Sequence, residues 1–401
     1  MLRTLHTLLA ALVLTLAPAL AHAQDSAAPE PAQAPVETAA APASNTGDTI
    51  AREAIVIDYD TGTVLLDKNA DQKMPTSSMS KTMTIYMAFE ALKNGKLSLD
   101  QKLPVSEKAW RMQGSKMFVE VGSAIAVEDL IRGIIIQSGN DATIVLAEGI
   151  SGTEEAFADM MNAKARELGM DSSHFVNASG WPDPDHYSTA RDLATLAVHT
   201  IRDFPDFYKY YSEKEFTWHN IHQMNRNPLL FRDIGADGLK TGHAEEAGYG
   251  VIGSGAMDGR RVVLVVNGLA DEKERAQESA RLLEWSLRTF ENVKIFSAGD
   301  TAEQAYVVMG QAEQIPLVVN EDIVVTVPKA VRNDLKVTAL YKTPLIAPVK
   351  KGDQVGTLRV DIPRVGVREY PLLAGQDVEK LGLISGALTK ARMLLGGKHP
   401  E

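Results

Sequence analysis

The fold is organised around residues 74–86, which have the sequence Met-Pro-Thr-Ser-Ser-Met-Ser-Lys-Thr-Met-Thr-Ile-Tyr. A proline and small hydroxyl residues precede an apolar run, and this pattern predicts that a helix begins here with Ser78 and Lys81 in its first turn. Residues three apart share a helix face, so we expect the Ser78 hydroxyl within hydrogen-bond distance of the Lys81 amine. Two explanations fit this spacing. Either Lys81 activates Ser78 as a nucleophile, or Ser77 and Ser78 cap the helix while Lys81 lies in solvent.

The composition is that of an ordinary globular protein with an acidic charge balance. The chain has 401 residues, of which 45% are hydrophobic, enough to fill the cores of two or three domains. Its formal net charge of −11 argues against nucleic acid as a partner. The absence of cysteine excludes disulfides, thiolate metal sites and a cysteine nucleophile. Stability must therefore come from the apolar core.

The N-terminal segment differs from the rest of the chain. Residues 1–23 combine a short polar start, an apolar run and a small-x-small cleavage site, the pattern of a secretory signal peptide. A membrane anchor is the alternative, but Pro18 interrupts the apolar run, which is short for a bilayer span. Residues 24–47 are rich in Ala, Pro, Ser, Glu and Gln, which predicts a disordered tether. We therefore expect an exported protein.

A second polar segment, Ser138-Gly139-Asn140, lies between two predicted buried helices. Ser138 is a candidate proton relay between Lys81 and a leaving group, and Asn140 is a candidate ligand for a substrate amide. Ser, Gly and Asn are also ordinary residues of a turn between helices, so this segment alone leaves both explanations open.

A third segment is the predicted strand that contains Lys240, Thr241 and Gly242. It offers a cation, a hydroxyl donor and a residue without a side chain, beside which a substrate backbone can lie as an added strand. Arg261, on a strand predicted to lie next to this one, adds positive charge to the same pocket. A polar strand end and a surface arginine are the alternatives.

The chain after residue 293 has a different pattern. Short Val/Ile/Leu runs separated by turns predict a small all-β domain over residues 294–374, after a first domain over residues 48–293. Residues 375–401 carry apolar side chains at helical spacing with Lys and Arg nearby, from Val378 to Leu395. This pattern predicts an amphipathic helix that lies in a membrane surface or packs on the β domain.

The ordered set Ser-x-x-Lys, Ser-x-Asn and Lys-Thr-Gly resembles the signature of the penicillin-recognising serine enzymes. The similarity is closest to the low-molecular-mass penicillin-binding proteins that act as D-alanyl-D-alanine carboxypeptidases, and it extends to Asn225-Arg226-Asn227 and Ala190-Arg191-Asp192. The resemblance implies an α/β fold. It comprises a β-lactamase/transpeptidase-like domain, with an antiparallel sheet flanked by helices plus a helical subdomain, followed by a small all-β domain.

The resemblance also implies a role for each motif residue. Ser78 attacks the bond between the two terminal D-alanines of the peptidoglycan stem peptide, with Lys81 as base and Ser138 as proton relay. Thr241 and Arg261 hold the terminal carboxylate, and the backbone N–H groups of Ser78 and His243 form an oxyanion hole. The implied substrate-binding residues are Asn140, Lys240, Thr241, Gly242, His243 and Arg261. The resemblance further implies that β-lactams acylate the same serine and that no metal or cofactor takes part. We also expect a periplasmic protein with peripheral membrane contact through its C-terminal helix.

Three alternatives remain open at this stage. A serine β-lactamase of the best-known class uses a loop glutamate to activate water, whereas residues 181–185 offer only aspartates. A D,D-endopeptidase has the same fold and motifs. The third alternative is a function of another class, a cell-wall-binding module without catalytic activity. A fluorescent penicillin would not label such a module.

Overall fold

The computed structural model describes residues 47–382. The predicted signal peptide, all but the last residue of the tether and residues 383–401 of the predicted C-terminal helix lie outside the described residues. Within residues 47–382, no helix is long and apolar enough to cross a membrane. The helices are α1 (Lys81–Lys93), α2 (Glu107–Arg111), α3 (Val127–Ile135), α4 (Asn140–Ser151), α5 (Glu154–Glu167), α6 (Ala190–Asp203), α7 (Pro205–Tyr208) and α8 (Glu272–Thr289).

A five-stranded antiparallel sheet with the order β2-β1-β9-β8-β7 forms the centre of the first domain. Two short hairpins, β3-β4 and β5-β6, lie outside it. The strands of this domain are β1 (Glu53–Asp58), β2 (Val64–Lys68), β3 (Lys102–Pro104), β4 (Ala124–Ala126), β5 (Glu215–Trp218), β6 (Ile221–Met224), β7 (Ala236–Ala244), β8 (Gly248–Met257) and β9 (Arg260–Leu269).

Helices cover both faces of this sheet because its strands are apolar on both sides. Along β9, Val263 and Val265 belong to the large core shared with α1 and α3 to α6, whereas Val262 and Leu264 pack in the smaller core beneath α8. Successive side chains of a strand point to opposite faces, so a continuous apolar run requires two covering layers. This is the predicted sheet flanked by helices, with the additional helices forming the helical subdomain.

The second domain is all β, as predicted, and has its own core. Its main sheet has the order β14-β16-β17-β12-β11-β15, and β10 pairs with β13. The strands are β10 (Phe290–Phe296), β11 (Thr301–Val308), β12 (Gln314–Val318), β13 (Ile323–Pro328), β14 (Lys336–Tyr341), β15 (Leu345–Ile346), β16 (Gln354–Ile362) and β17 (Gly366–Ala374).

Two predicted boundaries differ from the structure. The expected division after residue 293 falls inside β10, whose first residue, Phe290, already pairs with Pro328 of β13. The C-terminal helix was predicted over residues 375–401, but within this range Val378 forms a β-bridge with Val349 and is buried in the β domain. A buried apolar residue can equally form a β-bridge when another segment of the same chain supplies the hydrogen bonds. The predicted start of that helix was therefore wrong.

Candidate active site

A short turn before α1 brings the first pair of candidate residues together. Ser77–Ser80 form a 3₁₀ turn, and α1 begins at Lys81. Side chains three residues apart eclipse one another in a 3₁₀ turn, and Lys81 Nζ accordingly lies 2.8 Å from Ser78 Oγ. The predicted proximity is therefore observed, although the turn is 3₁₀ and not α-helical.

Lys81 is fully buried and its amine has three oxygen neighbours. Besides Ser78 Oγ, it lies 2.7 Å from Asn140 Oδ1 and 2.6 Å from the carbonyl oxygen of Ser179. Burial and, to a smaller extent, the positive charge of Arg226 together lower the pKa of Lys81 to about 7, while the charge of Asp141 opposes the shift. The alternative, in which Lys81 lies in solvent beside a capping serine, is wrong because the Lys81 side chain is fully buried.

Asn140 is the first residue of α4 and is held from both sides of its amide. Its Oδ1 accepts from Lys81, and its Nδ2 donates to the carbonyl oxygen of Gln113 at 2.8 Å. The next residue, Asp141, is fully buried and accepts hydrogen bonds from four backbone N–H groups, those of Met117, Phe118, Val119 and Ala142. Asp141 thereby ties the 113–119 segment to the N-terminus of α4, next to Asn140.

Ser138 and Lys240 form a second buried pair. Lys240 Nζ lies 3.0 Å from Ser138 Oγ and 3.2 Å from the carbonyl oxygen of Thr241. Ser138 has a φ of 58°, a left-handed conformation that is uncommon for a residue with a side chain and is found at functional sites. Burial lowers the pKa of Lys240 well below its ordinary value, and nearby positive charges lower it further: Lys81, Arg226 and Arg275.

Strand β7 lies directly against the turn that carries Ser78. A Cβ added to Gly242 would lie 2.8 Å from the carbonyl oxygen of Thr76 and 3.0 Å from Met79 Cγ. Gly242 must therefore lack a side chain for β7 to approach the turn this closely. Thr241 is buried beside it, while His243 is exposed with its ring stacked on Tyr249 at 3.9 Å between centroids.

Arg261 does not lie where the sequence placed it. Strand β8 separates β9 from β7, and Lys240 is aligned through Ile252 with Val265, four residues or about 13 Å along the strand from Arg261. Its guanidinium forms a two-pronged ion pair with Asp237, at 2.7 and 2.9 Å, and donates to Ser254 Oγ at 2.7 Å. These contacts use three of its five N–H donors and hold it away from Lys240, so the expected place of Arg261 in the Lys240 pocket is a prediction that the structure contradicts.

Two other arginines supply the positive charge near the lysines. Arg226 Nη1 lies 2.5 Å from Ser115 Oγ, and its charge acts on both Lys81 and Lys240. Arg275 of α8 is 6% exposed, lies over the Tyr249 ring and has a buried Nε with no hydrogen-bond partner in the described part of the chain. The sequence pointed to Arg226 only through the family resemblance and did not single out Arg275. The signal for Arg275 was its spacing from Ser279, Leu282 and Ser286 on the buried face of α8.

A cavity of about 1130 Å³ opens beside the serine. Its lining includes Ser78, Asn140 and Ser179 on one side and residues 243–246, after Gly242, on the other. The arrangement thus joins a hydroxyl and a buried amine with a lowered pKa at one cleft, and Arg226, Lys240 and Arg275 lie outside its lining. This combination suits acyl transfer from a substrate with a negative charge near the reacting bond.

Comparison with known proteins agrees with this chemistry. A family model described as D-alanyl-D-alanine carboxypeptidase matches residues 36–270, and one described as the C-terminal domain of penicillin-binding protein 5 matches residues 290–380. D-alanyl-D-alanine carboxypeptidase DacC of Escherichia coli (strain K12) is 37% identical over 340 residues, which cover 83% of this chain and 85% of the relative.

Solved structures give the same result. Penicillin binding protein 5 from Haemophilus influenzae superposes with a TM-score of 0.74 at 36% identity, covering 83% of this chain and 98% of that chain. Penicillin-binding protein D2 from Listeria monocytogenes in the ampicillin-bound form has a TM-score of 0.54 at 32% identity, covering 59% and 96%. These similarities confirm the predicted family and fold class. The chain belongs to the D-alanyl-D-alanine carboxypeptidase family.

Proposed function

We propose that this chain is a serine-type D-Ala-D-Ala carboxypeptidase that removes the terminal D-alanine from peptidoglycan pentapeptide stems through an acyl-enzyme on Ser78. The single observation that carries the proposal is the environment of the Lys81 amine. A neutral amine has two N–H donors and one lone pair. The oxygens of Asn140 and Ser179 accept the two N–H groups, which leaves the lone pair for the proton of Ser78.

The reaction follows from this arrangement. Ser78 Oγ bonds to the carbonyl carbon of the penultimate D-alanine as its proton moves to Lys81. The tetrahedral intermediate then collapses, the C–N bond breaks, and the proton passes to the amine of the departing D-alanine. Ser138, beside Lys240, is the proposed relay for that proton. Water then cleaves the ester, and its proton returns to Ser78 through the same base.

The cationic side of the site binds the terminal carboxylate. Thr241 supplies a hydroxyl donor, and Lys240 supplies positive charge once the carboxylate is bound, because a neighbouring anion raises the pKa of a buried amine. Arg275 takes the role that the resemblance implied for Arg261, because its buried Nε is unpaired in the described structure. The backbone N–H groups of Ser78 and His243 are the proposed oxyanion donors. The remaining Nδ2 hydrogen of Asn140 is available to a substrate carbonyl oxygen.

β-Lactams are proposed to acylate Ser78 as substrate mimics. The ampicillin-bound relative from L. monocytogenes supports this proposal, since a β-lactam occupies a protein of the same fold. A β-lactamase would release the resulting acyl group rapidly, an endopeptidase would cut cross-linked peptides faster than pentapeptides, and a silent module would not be labelled at all.

The test is D-alanine release from diacetyl-L-Lys-D-Ala-D-Ala by the full chain. We expect release by the native protein and none by Ser78→Ala, with a persistent fluorescent-penicillin label on the native protein only. Folded native protein that releases no D-alanine would contradict the proposal. Rapid turnover of the penicillin would favour a β-lactamase, and faster cleavage of a cross-linked muropeptide would favour an endopeptidase.

We also propose export to the periplasm and peripheral contact with the inner membrane. Support comes from the sequence of residues 1–23 and from the basic amphipathic pattern of the C-terminal segment. The cut that tests the anchor belongs after Gly382, because Val378 and Leu381 make backbone hydrogen bonds to the β domain. We expect the chain without residues 383–401 to leave the membrane fraction, and an unchanged membrane fraction would exclude this anchor.

A further inference from the structure

The cavity beside Ser78 is much larger than a D-alanyl residue requires. Within the described residues, its lining includes Ser78 and Asn140 but not Lys240 or Thr241, where the proposed carboxylate binds. The departing D-alanine therefore lies at one end of the site, and the cavity of about 1130 Å³ receives the acyl part of the substrate. The single methyl group of the penultimate D-alanine fills little of this volume, so the preceding peptide residue must enter it too.

Trp181 forms an aromatic wall of this cavity next to Asn140. A Cβ added to Gly114 would lie 2.8 Å from Asn140 Nδ2 and 3.0 Å from Trp181 Cζ3, so the indole edge and the Asn140 amide are neighbours across Gly114. The Trp181 side chain is nevertheless 42% exposed, and it faces the cavity together with Pro182. An aromatic surface left open beside a substrate-binding amide is available for apolar contact with the substrate.

The loop that carries Trp181 is held in place by its own hydrogen bonds. Asn177 Oδ1 accepts from the backbone N–H groups of Ser179, Gly180 and Trp181, and Asn177 Nδ2 donates to the Trp181 carbonyl oxygen at 3.0 Å. The same loop supplies the Ser179 carbonyl oxygen that accepts from Lys81. The loop that holds the Lys81 amine thus also holds the backbone of Trp181. Because this backbone is already ordered, less entropy is lost when a ligand packs on the Trp181 indole.

We propose that Trp181 is the platform for the side chain of the peptide residue that precedes D-Ala-D-Ala, and that it selects a long aliphatic side chain such as that of lysine or another diamino acid. This inference rests on the proposed function for the identity of the substrate. The methylene groups of such a side chain lie against the indole face, and its polar end reaches solvent at the rim of the cavity.

The test compares a long and a short substrate in matched variants. Burial of one or two methylene groups is equivalent to about a tenfold change in binding. We therefore expect Trp181→Ala to lower kcat/KM about tenfold for diacetyl-L-Lys-D-Ala-D-Ala and less than about twofold for acetyl-D-Ala-D-Ala. Trp181→Phe should restore most of the loss. Trp110→Ala, which removes an equally exposed tryptophan that does not line the cavity, should change neither substrate.

Equal losses on both substrates, or no loss on either, would overturn the inference, since Trp181 would then support the loop or make no contact with the substrate. The affinity of the Ser78→Ala protein for diacetyl-L-Lys-D-Ala-D-Ala gives a readout that needs no turnover. Adding Trp181→Ala should weaken that affinity about tenfold, and an unchanged affinity would also overturn the inference. Native protein that cleaves neither peptide would refute the proposed function, while this affinity comparison would still decide the role of Trp181.

Discussion

Gly242 and Thr76 approach so closely that a Cβ on Gly242 would lie 2.8 Å from the Thr76 carbonyl oxygen. The glycine of the Lys-Thr-Gly strand therefore sets the distance between β7 and the turn that carries Ser78. The lysine and threonine of β7 keep their positions relative to the serine only while this contact is preserved.

Gly242→Ala should separate β7 from the Ser78 turn and slow acylation. Because the opposing atom belongs to the backbone and cannot rotate away, we expect at least a tenfold lower second-order rate of labelling by fluorescent penicillin, a barrier change of about 1.4 kcal/mol or more. Gly382→Ala is the matched control, since a Cβ there meets no atom of residues 47–382 within 4 Å. An unchanged labelling rate in a folded Gly242→Ala protein would contradict the role assigned to this contact.

The acylation rate should rise with pH through about 7. Burial lowers the pKa of Lys81 to about 7, and only the neutral amine, which predominates above that pH, can accept the Ser78 proton. We expect the labelling rate to reach half its maximum near pH 7 and to level off above it. Lys81→Ala should lower the rate by about 10²–10⁴-fold, whereas Lys96→Ala, on the surface, should not. The labelling rate should be measured between pH 5.5 and 8.5, about 1.5 units on either side of the Lys81 pKa. A rate that does not change over this range would exclude Lys81 as the base.

Arg275 and Arg261 should differ in what their removal affects. Arg275→Ala removes a buried guanidinium with an unpaired Nε. We expect kcat/KM for diacetyl-L-Lys-D-Ala-D-Ala to fall about 10- to 100-fold, because a hydrogen bond to a charged group contributes a free energy equivalent to that change. Arg261→Ala leaves Asp237 without its partner, so we expect a loss of about 1–3 kcal/mol in unfolding free energy and little change in KM. Steady-state kinetics and urea unfolding measure the two effects. A large fall in kcat/KM for Arg261→Ala with little change for Arg275→Ala would show that Arg261 binds the carboxylate.

His186 should make the protein less stable in mild acid. Its Nδ1 accepts from the Val176 N–H at 3.2 Å and its Nε2 lies 2.8 Å from Ser80 Oγ, so the buried ring is neutral. Burial lowers the pKa of His186 to about 4, with Asp183 opposing the shift and His174 and Lys81 adding to it.

Between pH 6.5 and about 4 the unfolded chain binds a proton at residue 186 that the folded chain does not, so stability falls as pH falls through this window. The total loss is about 3 kcal/mol. His186→Gln keeps a donor and an acceptor but does not titrate, and its unfolding free energy should depend less steeply on pH. Equal slopes for the two proteins in urea unfolding would contradict this assignment.

Proximity within a short segment could be predicted from the sequence, and proximity across the sheet could not. Ser78 and Lys81 meet because three-residue spacing brings them together in any tight helical turn. The distance of Arg261 from Lys240 depends on strand order, and the sequence does not reveal that β8 lies between β7 and β9. Asp141 was overlooked for a related reason, since its four N–H partners come from a segment more than twenty residues earlier and from its own neighbour.

Hydrophobic periodicity located the regular elements well but could not always assign their type. The all-β domain predicted over residues 294–374 is observed, because short Val/Ile/Leu runs separated by turns occur throughout it. Val378 was assigned to a helix because it continues the helical spacing of the apolar residues that run on to Leu395. Its bridge to Val349 depends on a strand-like partner 29 residues earlier in the chain, which local spacing does not encode.

The three oxygens around the Lys81 amine come from the 3₁₀ turn, from α4 and from the loop after Asn177, which are joined only by the tertiary fold. A chain in which any one of these regions has come loose loses the low-pKa amine and, with it, the reactive serine. Labelling by a fluorescent penicillin should therefore report the fraction of molecules in which all three regions are correctly assembled.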